Sequence, residues 1–151
     1  MSNKRPPMFL AEIIPEGEHH MKRIQRTLTS SELLALKTSP VQLLPSPGPG
    51  KRYAIFLALA LYNFVTTPYT LNGGTDLQIC NDATPAAALR VDGMITLSAD
   101  TICAGTPVTG AYYASGAKDV PLKIANQGPA EFTAGDGTLL IVVYYTIEGD
   151  T

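Results

Sequence analysis

The chain has 151 residues, of which 45% are hydrophobic, so it can build one ordinary core and is not a disordered polymer. Thirteen Gly and 12 Pro break it too often for a helical bundle, and its Val, Ile, Thr and Tyr content points to an all-β fold. The formal charge of −2 is unevenly divided: residues 1–52 carry eight Lys or Arg against four Glu (+4), and residues 53–151 carry three basic against nine acidic positions (−6). That acidic body disfavours nucleic-acid binding, and no apolar run reaches the roughly 20 residues of a spanning helix.

Met1 to Thr27 has no sustained periodicity, and Pro6, Pro7, Pro15 and Gly17 forbid a long helix. Residues 1–28 therefore read as an extended N-terminal arm, with residues 29–151 as the body. Within the arm, MFLAEII (Met8 to Ile14) is an apolar patch that has no partner of its own. His19 and His20 stand beside Glu16 and Glu18, but adjacent His side chains diverge and no further His exists in the chain, so no metal site is read here. The segment lacks a small-residue cleavage site and does not read as a signal peptide.

Thr27 to Lys37 (TLTSSELLALK) predicts a short helix. Thr29 or Ser30 can cap it, Glu32 sits in the first turn, and Leu33, Leu34 and Leu36 give it an apolar side. Ser39-Pro40 stops it, Val41 to Leu44 reads as a strand, and PSPGPGK forms a Pro-Gly turn. Lys51 to Val65 supplies the main strand. Strict alternation places Tyr53, Ile55, Leu57, Leu59 and Leu61 on one face, with Ala54, Phe56, Ala58 and Ala60 on the other. Because both faces are apolar, the strand belongs inside a sandwich or beside a subunit interface. Asp76 to Cys80 alternates as the next strand, and Leu89 to Val91 and Met94 to Leu97 are short strand candidates. Tyr112-Tyr113 lies in a stretch rich in Ala, Gly, Ser and Thr, and reads either as a core-and-rim pair or as an aromatic platform for a sugar or partner.

Val120 to Ile147 reads as a closing β-hairpin, turning through Gly128-Pro129 and Ala134-Gly135-Asp136-Gly137. Leu139 to Tyr145 is apolar on both faces and should be internal, covered by a second sheet or another subunit. Cys80 and Cys103 are too few for a disulfide scaffold and read as small buried hydrophobes.

No catalytic constellation emerges. A nucleophile–His arrangement would need His19 or His20 to reach the body, GPGK lacks the outer glycine and following Ser or Thr of a phosphate loop, and the carboxylates are scattered through turns. The chain reads as a non-enzyme without cofactor or metal.

Taken in order, SSELLALKTSPVQLLPSPGPGK, a hydrophobic strand, YTLNGGTDLQI and PLKIANQGPAEFTAGDGTLLIVVYYTI resemble small tailed-phage virion structural proteins of the β-sandwich or jelly-roll kind, over residues 29–148. The resemblance implies an antiparallel β-sandwich, jelly-roll-like, with an extended N-terminal arm and one short helix. It also implies a capsid decoration or cement protein on the outer surface of the head shell, made in the host bacterial cytoplasm. Its expected partners are the major capsid protein or other virion proteins and further copies of itself, a homotrimer being favoured, with no nucleic acid and no membrane. The alternative is a tail or head fibre module that contacts a host glycan. The residues expected to bind a partner are those of the arm and its approach: Lys4, Arg5, Met8, Phe9, Leu10, Ile13, Ile14, Lys22, Arg23 and Arg26.

Overall fold

Two antiparallel sheets, packed face to face, make up a computed structural model that describes residues 20–71, 77–80, 87–90, 93–107 and 118–149. In chain order the elements are β1 (Lys22–Leu28), α1 (Ser30–Leu34), β2 (Val41–Leu44), β3 (Lys51–Asn63), β4 (Leu77–Cys80), β5 (Ala87–Arg90), a single 3-10 turn (Met94–Thr96), β6 (Thr101–Ala104), β7 (Thr106–Pro107), β8 (Leu122–Asn126) and β9 (Thr138–Gly149). One sheet has the order β1-β9-β3-β6 and the other β2-β8-β4-β5-β7.

The ladders reveal a rolled ribbon. β1 pairs with β9, β2 with β8, β3 with β6 and β4 with β5, as in one long antiparallel hairpin. The ladders β3·β9 and β4·β8 then close the roll into two sheets. This is the jelly-roll connectivity, and the all-β sandwich expected from composition is what the chain forms.

The closing segment needs a correction. β8 and β9 are not a hairpin, since β8 lies between β2 and β4 while β9 lies between β1 and β3 in the other sheet. The 11-residue connection, 127–137, carries the chain from one layer to the other and is itself anchored, by buried Phe132 and by a bridge between Thr70 and Thr133. Its glycines serve that crossing: Gly135 takes φ +89° beside Ala134 at +53°. β9 is internal to its sheet, as its two apolar faces require.

The strict alternation read along β3 also changes. A bulge between Ile55 and Leu57 places Ile55 opposite Tyr145 but Leu57 opposite Tyr144, so the inward phase shifts by one residue. Before the bulge, Tyr53 and Ile55 are buried; after it, Ala58, Ala60 and Tyr62 are. Phe56 and Leu57 are left exposed.

Lys22–Leu28, read from sequence as the end of the arm, is strand β1, in register from Lys22 opposite Tyr145 to Leu28 opposite Leu139. Only Ile24 and Leu28 turn apolar side chains inward, too few to show periodicity, and Lys and Arg on an edge strand oppose pairing with a further strand. Met94–Thr96, a strand candidate, is instead a 3-10 turn that buries Met94 and Ile95.

The predicted helix is present with a full capping box. The Thr29 hydroxyl accepts from the Glu32 amide, and the Glu32 carboxylate accepts from the Thr29 amide at 2.9 Å. Leu33 and Leu36 are fully buried, so the helix plugs one end of the sandwich. The core between the sheets is filled by Leu139, Ile141 and Val143 from one layer and by Leu77, Ile79, Leu122 and Ile124 from the other.

Candidate functional site

The outer face of the β1-β9-β3-β6 sheet is the surface that the core does not explain. Residues opposite one another in an antiparallel ladder share a face. Leu61 stands opposite Ile102 and Leu140, Leu59 opposite Ala104 and Val142, and Leu57 opposite Tyr144. Their chain neighbours Ala58, Ala60, Tyr62, Ile141 and Val143 are the ones that face the core. An apolar stripe therefore crosses three strands on the side away from the sandwich interior. Ile102 is 69% exposed, Phe56 60% and Leu57 40%. At one end the stripe opens into a shallow groove of about 460 Å3, lined by Leu61, Ile102 and Leu140 with Asn63, Asp100 and Thr138 at its polar margin.

The β1 edge borders the same face. Arg23 lies opposite Tyr144, its guanidinium carbon 6.0 Å from that ring's centre, and it donates to Gln25 Oε1 at 2.8 Å. Arg26 points the other way, toward the second sheet. It donates to Glu32 Oε1 at 2.8 Å and to the Gln42 carbonyl at 3.2 Å, tying β1, α1 and β2 together. Glu32 is correspondingly held below its ordinary range, chiefly by the Thr29 amide and then, against some desolvation, by Arg26. Of the residues expected to bind a partner, then, Lys22 and Arg23 are exposed on the edge strand and Arg26 is engaged by its own chain. Lys4, Arg5, Met8, Phe9, Leu10, Ile13 and Ile14 lie outside the described residues, as does the Tyr112-Tyr113 pair.

The remaining polar side chains mostly brace loops. Asp136 accepts from the amides of Thr66 and Thr67 at 3.0 and 2.9 Å and from the Thr66 hydroxyl, which keeps its carboxyl below the usual range. Desolvation pushes the Glu131 carboxyl up, but the amides of Lys37 (2.8 Å) and Thr38 (2.7 Å), with the Thr38 hydroxyl, outweigh it and hold it low. Burial raises the phenols of Tyr53, Tyr62, Tyr69 and Tyr145. Every one of these shifts favours the form already present at neutral pH, so none prepares a proton donor or acceptor for chemistry. Among the described residues no group of three His, Cys, Asp or Glu is placed to hold a metal ion. No helix there is long and apolar enough to cross a membrane.

The apolar outer stripe was half legible in sequence. The two-faced apolarity of β3 and β9 announced it, whereas the contribution of Ile102 depends on the pairing of β6 with β3 and no local signal points to it.

No family model matches this chain, and no curated protein does. A solved structure described as the capsid of Ralstonia phage GP4 matches at 14% identity over 91% of this chain and 90% of that one, with a TM-score of 0.48. Likeness at that level decides neither role nor partner.

Proposed function

We propose that this chain is a virion structural protein of a tailed phage, acting as a homo-oligomer that decorates the outer surface of the head shell. The observation that carries the reading is the rolled-ribbon connectivity beneath the ordered set of turns and strands that resembles that family. A capped Leu-rich helix, the PSPGPGK turn and the GDGTL run each sit at a junction of the roll. A jelly roll serves several kinds of protein, viral shells and lectins among them, so fold by itself does not choose a role. What favours a structural role is the chemistry of the surface: an apolar stripe, a basic edge strand and carboxylates committed to bracing loops.

In this reading the chain preceding β1 supplies the grip. Lys4 and Arg5 meet acidic groups on a shell subunit, and Met8, Phe9, Leu10, Ile13 and Ile14 bury apolar surface there, offsetting an ordering cost of roughly 1–2 kcal/mol per residue. Lys22 and Arg23 extend the basic character onto the body.

The test is to purify the full chain and mix it with head shells of the phage that encodes it, prepared without it. Saturable co-sedimentation, and antibody label repeating with the shell lattice on intact particles, is the expected result. Label confined to tail tips, or no particle-bound protein, would overturn the reading.

A further inference from the structure

We infer that the apolar outer face of the β1-β9-β3-β6 sheet is the self-association surface, and that its occupant is the same face of a second copy. The inference gives a surface to the homo-oligomer proposed above and rests on that part of the reading, but not on attachment to a shell.

The face has the composition of an interface centre with a charged rim. Leu57, Leu59 and Leu61 run along β3, with Ile102 beside them on β6 and Leu140 and Tyr144 on β9. Leu57 and Ile102 are exposed, Leu59, Leu61, Leu140 and Tyr144 are half-buried, and Val142 between them is buried; water against the exposed part is unfavourable at roughly 25 cal/mol per Å2 of apolar surface.

Charge identifies the occupant. Arg23 lies on the β1 edge at the level of Tyr144 and Leu57. Asp100 immediately precedes β6 on the opposite edge, at the level of Tyr62 and Asn63, where it accepts from the Phe64 amide at 2.9 Å. The two are at diagonally opposite corners of the stripe. A two-fold axis lying in the contact plane and perpendicular to that diagonal sets Arg23 of each copy against Asp100 of the other while the two stripes meet between them. The face is thus complementary to itself, apolar at its centre and opposite in charge at its corners. Such a contact is isologous and closes as a pair; the three-fold assembly implied by the resemblance would require a second, heterologous surface.

Sedimentation equilibrium of the isolated full chain tests this. The wild type should show a concentration-dependent monomer–dimer equilibrium. Ile102→Asp, at an exposed edge position, and Leu61→Lys should each weaken it about tenfold or more, with circular dichroism and melting unchanged enough to show that the fold is kept. Arg23→Asp and Asp100→Arg should each weaken association, and the double exchange should recover most of it. A strictly monomeric wild type overturns the inference, as does an oligomer indifferent to Ile102→Asp and Leu61→Lys. Association that appears only after residues 1–20 are removed, and is lost again on adding Ile102→Asp, would make the chain's own N-terminal segment the occupant and also overturn it. Shell binding lost with self-association intact counts against the attachment role alone, and the reverse result counts against this surface alone.

Discussion

A β-carbon on residue 135 would collide with the ring of Tyr69, standing 2.6 Å from Cε1, because Gly135 lies directly against that ring with φ +89°. Tyr69 is itself fixed there. Its hydroxyl donates to the Gly137 carbonyl at 2.7 Å, its ring is edge-on to Tyr62, and its amide donates to the Ile95 carbonyl at 3.0 Å. Neither the ring nor the loop can yield cheaply. Gly135→Ala should therefore destabilise by about 2–4 kcal/mol, combining left-handed strain with displacement of a packed aromatic. Tyr69→Phe, which leaves the ring in place and only orphans the carbonyl, should cost about 1–2 kcal/mol. Chemical denaturation of the two variants checks the order; equal losses would mean that the ring, and not the backbone at 135, adapts.

Acid should unfold the protein from its loops. Glu32, Glu131 and Asp136 are all held below their ordinary values of 4.5, 4.5 and 3.8. The unfolded chain therefore binds more protons than the folded one in this range. The stability these groups contribute is complete above those ordinary values and is lost as pH falls through the lower folded ones. Melting temperature should be flat from pH 7 to about 5 and fall below about 4.5. Glu131→Gln, which keeps one acceptor oxygen but loses the charge and sets an NH2 group against the second backbone amide, should cost about 1–2 kcal/mol at pH 7 after allowance for its solvent exposure. It should cost less at pH 3, and a loss that is the same at both pH values would show that the carboxylate charge is unimportant there.

Where the N-terminal segment can be cut follows from β1. Removing residues 1–20 leaves the ladder from Lys22 to Leu28 entire, whereas removing residues 1–28 strips β9 of one neighbour and uncovers the core-facing sides of Leu139 and Val143. The shorter deletion should give a folded protein by circular dichroism; the longer one should be insoluble or melt far lower. Under the proposed function the shorter deletion also abolishes co-sedimentation with shells. Two deletions of equal stability would show that β1 contributes little to the sandwich.

Cys80 in β4 and Cys103 in β6 sit in different sheets, with Cys103 Sγ 3.3 Å from Met94 Sδ. Cys80 is buried, so Cys80→Ala should cost about 1–2 kcal/mol through lost packing. Cys103→Ser, at a half-buried site, should cost less than about 1 kcal/mol. Intact mass under non-reducing conditions should show two titratable thiols after unfolding; a mass lower by two hydrogens would contradict the reading of both as small packing residues.

Local order in this protein is written locally. Thr29 and Glu32 stand three residues apart and suffice to start α1. Gly48 and Gly50, with φ of +108° and +73°, make the turn into β3. The period-two apolar pattern marked β2, β4 and β9 as strands of an all-β chain because strand alternation is a property of neighbouring residues. Which strand lies beside which is not. β8 and β9 looked like partners because they are consecutive, yet 11 residues of connection let each pair with two other strands in separate sheets. Lys22–Leu28 looked irregular because an edge strand takes its backbone hydrogen bonds from β9 and needs only Ile24 and Leu28 turned inward. Along β3 the composition foretold two apolar faces, but a single extra residue at Phe56 decided which one is core. That bulge is set by pairing with Tyr144 and Tyr145, some 90 positions away in the chain. The exposed stripe with Ile102 at its margin therefore exists only once β6, β3 and β9 are in register, and no alternation within one strand encodes a register between three.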